Sequence, residues 1–138
     1  MAFGYSCVGD SIGVALVVPG PGLQNASAGV GTAYAASRPM LMISGQVDRD
    51  FIGSDRGELH EVNDQLHIIR PVTKWAKRVL TAEDIPSAVH NAFLQMKSGR
   101  PRPVAIEMPP QAMVEETMVE LIQPEVVFPQ RPDEDIVK

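Results

Sequence analysis

Val14-Ala15-Leu16-Val17-Val18-Pro19-Gly20-Pro21-Gly22-Leu23-Gln24-Asn25, followed by the small-residue run from Ala26 to Ala36, is the stretch on which the fold turns. Five apolar, β-branched-rich residues, a glycine-proline loop and a segment almost without bulk read as a buried strand, a tight turn and a helix. In an open α/β sheet that turn lies at the carboxyl edge, where ligands bind. Gly20 and Gly22 allow positive φ and let a ligand approach the backbone without meeting a Cβ, and Pro21 stiffens the loop between them. Asn25 has the side chain of a helix cap, and its amide can also face a ligand. An ordinary strand-to-helix connection uses the same residue types, so the loop alone leaves both readings open. Two nucleotide fingerprints do not fit. The dinucleotide motif needs a third glycine where Asn25 stands, and the P-loop needs a Gly-Lys-Ser/Thr ending that the stretch does not have. The expected ligand contact is therefore not to a phosphate.

Working outward, Met1 to Asp10 is short and shows no strand alternation, which suits the last turns of a helix. The segment from Ala26 to Ala36 lets another backbone pack very close and is expected to be sandwiched rather than solvent-facing. Arg38-Pro39 starts a second apolar run, Met40 to Ile43, that ends in Ser44-Gly45-Gln46-Val47. Two buried strands joined by a helix form a βαβ unit with parallel strands. The turns at Pro21 and Gln46 would then share one sheet edge; Gln46 either points its amide at a ligand shared with the first turn or merely closes its own turn.

From Asp48 to Arg70 no clear period survives, which favours a functional loop or a short irregular helix. His60 and His67 have the side chain for acid-base work near neutrality, against the plain alternative of surface histidine. Pro71 to Val79 alternates as an exposed or edge strand. Thr81, Glu83 and Asp84 then open a helix whose apolar face is Ile85, Val89, Ala92, Phe93 and Met96. Pro103 to Met108 is the final strand, and Pro109-Pro110 stops it. Residues 1–112 make up the domain, and 113–138, rich in Glu and Pro, read as an acidic linker.

The 138 residues are one domain's worth, and 44% hydrophobic composition is enough for a core. Twelve basic against seventeen acidic side chains leave a net charge of −5 with no sustained basic run, so nucleic acid is not an expected partner. No apolar run approaches the roughly 20 residues of a membrane span, and the start has no signal-peptide pattern. The single cysteine, Cys7, excludes an internal disulfide and suits a cytoplasmic location.

Met1-Ala2-Phe3-Gly4-Tyr5, Gly13-Val14-Ala15, the Pro19-to-Asn25 loop, Gly31-Thr32-Ala33-Tyr34, Pro39-Met40 through Val47, Lys74-Trp75, and Ser98-Gly99-Arg100-Pro101 through Pro109 carry one resemblance by their order and spacing. Together they resemble the N-terminal pyrimidine-binding (PYR) domain of thiamine-diphosphate-dependent enzymes of the acetolactate synthase and decarboxylase type. The resemblance implies a flavodoxin-like, doubly wound, mostly parallel α/β sheet whose first strand and helices precede the match. It implies that Pro21 and Asn25 contact the cofactor's aminopyrimidine ring, with Gly20 and Gly22 shaping the loop. Asp55 to Val62 stand where the acetolactate synthases usually read Asp-Ala-Phe-Gln-Glu-Val, with Leu59-His60 at the substrate-facing Phe-Gln. His60 is then a candidate proton shuttle, since a carbanion must be protonated.

The same resemblance places the family's catalytic glutamate just before the stretch matched by Met1, and its magnesium-diphosphate motif in a C-terminal (PP) domain. The parent enzyme would act on a 2-oxo acid with thiamine diphosphate and Mg2+, with FAD use left open. It would form a homodimer or homotetramer through PYR and PP domains, while the chain alone would be inactive. The alternative is a catalytically silent interaction or dimerisation module built on the small-residue helix.

Overall fold

The computed structural model describes residues 1–127. Strands β1 (Gly13–Val17), β2 (Met40–Gly45), β3 (Trp75–Arg78) and β4 (Val104–Met108) form a four-stranded sheet in the order β1-β2-β4-β3, with every pairing parallel. Helices α1 (Ala2–Ser6), α2 (Pro21–Ala35), α3 (Gln65–Ile69), α4 (Ile85–Lys97) and α5 (Pro110–Val114) complete the order of elements, with short 3-10 turns after β2 and before β3 and α4. Side chains alternate across the strands, so each face acquires its own core. Met40 and Met42 pack with Leu23, Val30 and Ala33 of α2 and with Leu66 and Ile69 of α3. Leu41, Val104 and Ile106 pack on the other face with Ala88, Ala92 and Met96 of α4. This is the doubly wound parallel α/β sheet expected from the sequence. Strand β4 lies between β2 and β3 with helices over both faces, which is why all five of its residues are buried.

Helix α4 forms where the apolar spacing places it, with Met96 fully buried. At the amino edge of the sheet, the Lys74 ammonium donates to the carbonyls of Ser98 and Arg100, tying the start of β3 to the end of α4. Burial, followed by repulsion from Arg102, holds the Lys74 pKa below its ordinary value.

Several expectations are corrected. The β1 run is apolar throughout, yet it sits at the edge of the sheet among the described residues, with Val14 54%, Leu16 76% and Val18 56% exposed. Helix α2 begins at Pro21, four residues before Asn25, so Asn25 lies within the helix and Gly20 is its N-cap. Proline is pre-set for the first helical position, and Gly20 makes the turn into it at φ 56°. Only one face of α2 is covered; Asn25, Ala28, Gly29 and Thr32 are exposed rather than sandwiched. The aperiodic stretch contains α3, in keeping with the short helix that is one of the two expectations for it and too short for a helical period to show. Residues assigned to the linker from 113 begin inside α5, whose Ala112 is buried. From 115 to 127 the chain has neither helix nor strand, and the remainder of that linker, 128–138, lies outside the described residues.

Candidate functional site

Because β1 and β2 run parallel in register, with Val17 beside Ser44, their following turns emerge together at the carboxyl edge. Gly45 lies so close to the first turn that an added Cβ would meet Pro19 Cδ at 3.1 Å. Gly20 is needed twice over. Its φ is 56°, and a Cβ there would stand 2.3 Å from the carbonyl oxygen of His60. A Cβ on Gly22 would meet Val18 Cγ2 at 2.6 Å. Pro21 and Asn25 are both exposed, on the first turns of α2.

The carbonyl contact brings the Asp55-to-Glu61 loop onto this turn. Glu61 organises that loop: its Oε2 accepts hydrogen bonds from the amides of Arg56 (3.1 Å), Gly57 (2.7 Å) and Glu58 (2.9 Å). These bonds, the Glu58 amide foremost, hold the Glu61 carboxyl below its ordinary pKa. Leu59 is 82% exposed at the loop tip, and His60 is half-buried with φ 68°. The fold thus gathers Gly20, Pro21, Gly22, Leu59 and His60 at one edge, whereas His67 is exposed on α3.

The expected gap between the Pro21 and Gln46 turns is filled by the protein itself. Gln65, fully buried at the start of α3, accepts the Gly20 amide on Oε1 (2.7 Å) and donates from Nε2 to the Gly45 carbonyl (2.8 Å). Gln46 is also buried, its Oε1 accepting the Val47 amide (2.8 Å) and its Nε2 donating to Glu107 (3.5 Å). The expectation that both turns face one ligand is corrected accordingly: Gln46 is turned inward, while Pro21 and Asn25 are exposed.

Glu107, on β4, is 1% exposed and forms an ion pair with Arg78 of β3. Its other oxygen accepts from Gln65 Nε2 at 2.9 Å. The motif reading missed Gln65, Arg78 and Glu107. One signal was present: a glutamate inside the continuous apolar run Val104 to Met108, which reads as a fully buried strand, requires a charged or hydrogen-bonding partner.

Val18 and Leu59 expose apolar surface and Asn25 is exposed near this edge, a set of side chains whose chemistry would suit a flat, partly apolar ring bearing nitrogens. The edge is an open wall, not an enclosure. A cavity of about 490 Å³ lies elsewhere, between α4 and the 121–127 segment, lined by Val89, Phe93, Leu121 and Ile122 among others.

Residues 1–68 match the family described as "Thiamine pyrophosphate enzyme, N-terminal TPP binding domain". Among curated proteins, the chain is 46% identical over 109 residues to the acetolactate synthase large subunit of Haemophilus influenzae, covering 79% of this chain and 18% of that protein. It is 38% identical over 127 residues to the acetolactate synthase isozyme 3 large subunit of Escherichia coli, covering 92% of this chain and 22% of the relative. A probable 2-ketoarginine decarboxylase of Pseudomonas aeruginosa is 38% identical over 109 residues, 79% of this chain and 20% of that protein. The chain spans about a fifth of the length of these curated relatives.

Proposed function

Residues 1–68 belong to the N-terminal TPP binding domain family of thiamine pyrophosphate enzymes, and on that premise we propose that the chain forms the pyrimidine-side wall of a thiamine diphosphate site. The enzyme it would serve cleaves or forms carbon–carbon bonds of 2-oxo acids, as the names of its synthase and decarboxylase relatives suggest. The observation that carries the proposal is the β1–turn–α2 edge, where the Gly20 turn leaves Pro21 and Asn25 exposed beside the His60 loop.

Thiamine diphosphate, when bound, supplies the electron sink for the carbanion chemistry. In this proposal Pro21 and Gly22 lie against the ring, and Asn25 orients it through a hydrogen bond. Leu59 gives the substrate an apolar contact. His60 delivers or removes a proton, imidazole being the side chain whose chemistry suits proton transfer near neutrality. The opposite wall, with Mg2+ and the diphosphate, belongs to a PP domain in a homodimer or homotetramer; whether FAD is also bound is a property of that assembly. A cytoplasmic location is part of the same reading. No helix among the described residues is long and apolar enough to cross a membrane. The exposed small-residue face of α2 (Ala28, Gly29, Thr32) supports a second reading, in which the polypeptide serves as an association module without turnover.

Two measurements test the proposal on the 138-residue polypeptide. Titration calorimetry with thiamine diphosphate and Mg2+ is expected to show no tight binding, and 2-oxo acid turnover to be absent. Millimolar thiamine diphosphate is expected to shift the NMR amide resonances of residues 20–25 and 59–60. Shifts confined to other parts of the fold would overturn the assignment of the wall, and turnover by this polypeptide alone would overturn its dependence on a second domain.

A further inference from the structure

Four groups, from the Gly20 turn, strand β2 and strand β4, meet on one buried amide carried by α3. Gln65 Oε1 accepts the Gly20 amide at 2.7 Å; its Nε2 donates to Gly45 O at 2.8 Å and to Glu107 Oε2 at 2.9 Å, with Ser44 Oγ at 3.3 Å. The side chain is fully buried, so none of these bonds can be exchanged for water. An amide placed with its oxygen toward Gly45 O and Glu107 would set like dipoles against each other, so the acceptors on β2 and β4 determine which way the amide faces. Only with its nitrogen on those acceptors does Oε1 point at the Gly20 N–H. Glu107 is held in turn by Arg78 from β3. Arg78 also approaches Asp64 at 3.8 Å, and Asp64 caps the helix that carries Gln65 by accepting the His67 amide at 3.1 Å.

We propose that Gln65 is a positioning residue for the Pro19–Gly20–Pro21 turn: aligned by Glu107, its amide fixes the Gly20 peptide and thereby the way Pro21 and the first turn of α2 are presented at the sheet edge. The link to a cofactor rests on the thiamine diphosphate reading above; the clamp on the turn does not. A network with every member satisfied holds one geometry, whereas losing one member frees the rest. Among the described residues, Gln65 supplies the network's one side-chain hydrogen bond to the turn, which separates its role from that of ordinary core packing.

The test uses the isotopically labelled 138-residue polypeptide. The unmodified protein is expected to show a through-hydrogen-bond scalar coupling between the Gly20 amide and the Gln65 side-chain carbonyl; no coupling, with a freely exchanging Gly20 amide, overturns the proposal whatever the variants do. In Gln65→Met, which keeps volume but not polarity, Gly20 amide protection is expected to fall about tenfold or more while β4 amides keep theirs. Equal protection in the variant would overturn the clamp.

Gln65→Glu supplies a readout that packing would not move. Ionised, the new carboxylate opposes Glu107 and cannot donate; protonated, it accepts on one oxygen and donates from the other, as the amide does. Protection of Gly20, normalised for intrinsic exchange, is thus expected to be lost at neutral pH and regained on acidification. The charged groups facing the position are Glu107 from β4, Arg78 from β3 and Asp64 from α3. A pH-independent profile would count against the clamp. Thiamine diphosphate shifts at residues 20–25 that are present in the unmodified protein and lost in Gln65→Met support the link to the cofactor. Their absence from the unmodified protein would overturn the cofactor reading and leave the clamp to be judged by coupling and protection.

Discussion

Gly20 meets two demands that a side chain cannot meet together. Its φ of 56° lies in the left-handed region, and the His60 carbonyl oxygen occupies the space a Cβ would take, 2.3 Å away. Gly20→Ala is expected to destabilise the fold by about 1–3 kcal/mol, since strain at a left-handed non-glycine adds to a backbone contact that must open. Urea denaturation measures the loss, and a stability change within a few tenths of a kcal/mol would show that the His60 loop does not rest on this turn. The glycine-rich loop was legible because residue type alone reports conformational freedom. The Gln65 contact was not, since a glutamine looks the same in sequence whether it is solvated or buried.

At the scale of elements, the loop from Asp55 to Glu61 is held by one carboxylate bonded to three successive amides. Those bonds lower the Glu61 pKa from its ordinary value of 4.5, led by the bond from the Glu58 amide. With the folded pKa below the unfolded one, the contribution is fully present above pH 4.5 and is lost as pH falls through the folded value. Amide protection at Gly57 and Glu58 should fall across that acidic window, ahead of the sheet amides, and Glu61→Gln should abolish the pH dependence. A loop that opens only together with the sheet would contradict this. Helix α4 was readable from its 3.6-residue apolar period and from Glu83 and Asp84 just before it. Helix α3, five residues long, completes too few turns to display a period; the packing of Leu66 and Ile69 under the sheet and the Asp64 cap stabilise it.

On the whole molecule, the two edges of the sheet differ. Strand β3 carries Lys77 and Arg78, charges of the kind that discourage edge pairing. Strand β1, Gly-Val-Ala-Leu-Val, carries none, and Val14, Leu16 and Val18 stand exposed on one face. An uncharged apolar edge templates association, so the polypeptide is expected to self-associate at high concentration, and Leu16→Lys to shift sedimentation profiles toward monomer. An unchanged profile in that variant would place any association elsewhere.

The sequence by itself determined the parallel α/β architecture, the strand–turn–helix at Gly20 and the apolar face of α4, because periodicity, β-branching and glycine placement act over a few neighbouring residues. Where α2 starts was also within reach, since Pro21 suits the first helical turn. Tertiary structure alone decided that β1 lies at an edge, that Gln46 turns inward, and that Gln65, Arg78 and Glu107 meet behind the turn. Those outcomes depend on which distant segments become neighbours: Gln65 lies 45 residues from Gly20 and 42 from Glu107 along the chain. No local pattern encodes such a meeting; the parallel register that brings the strand ends together creates it.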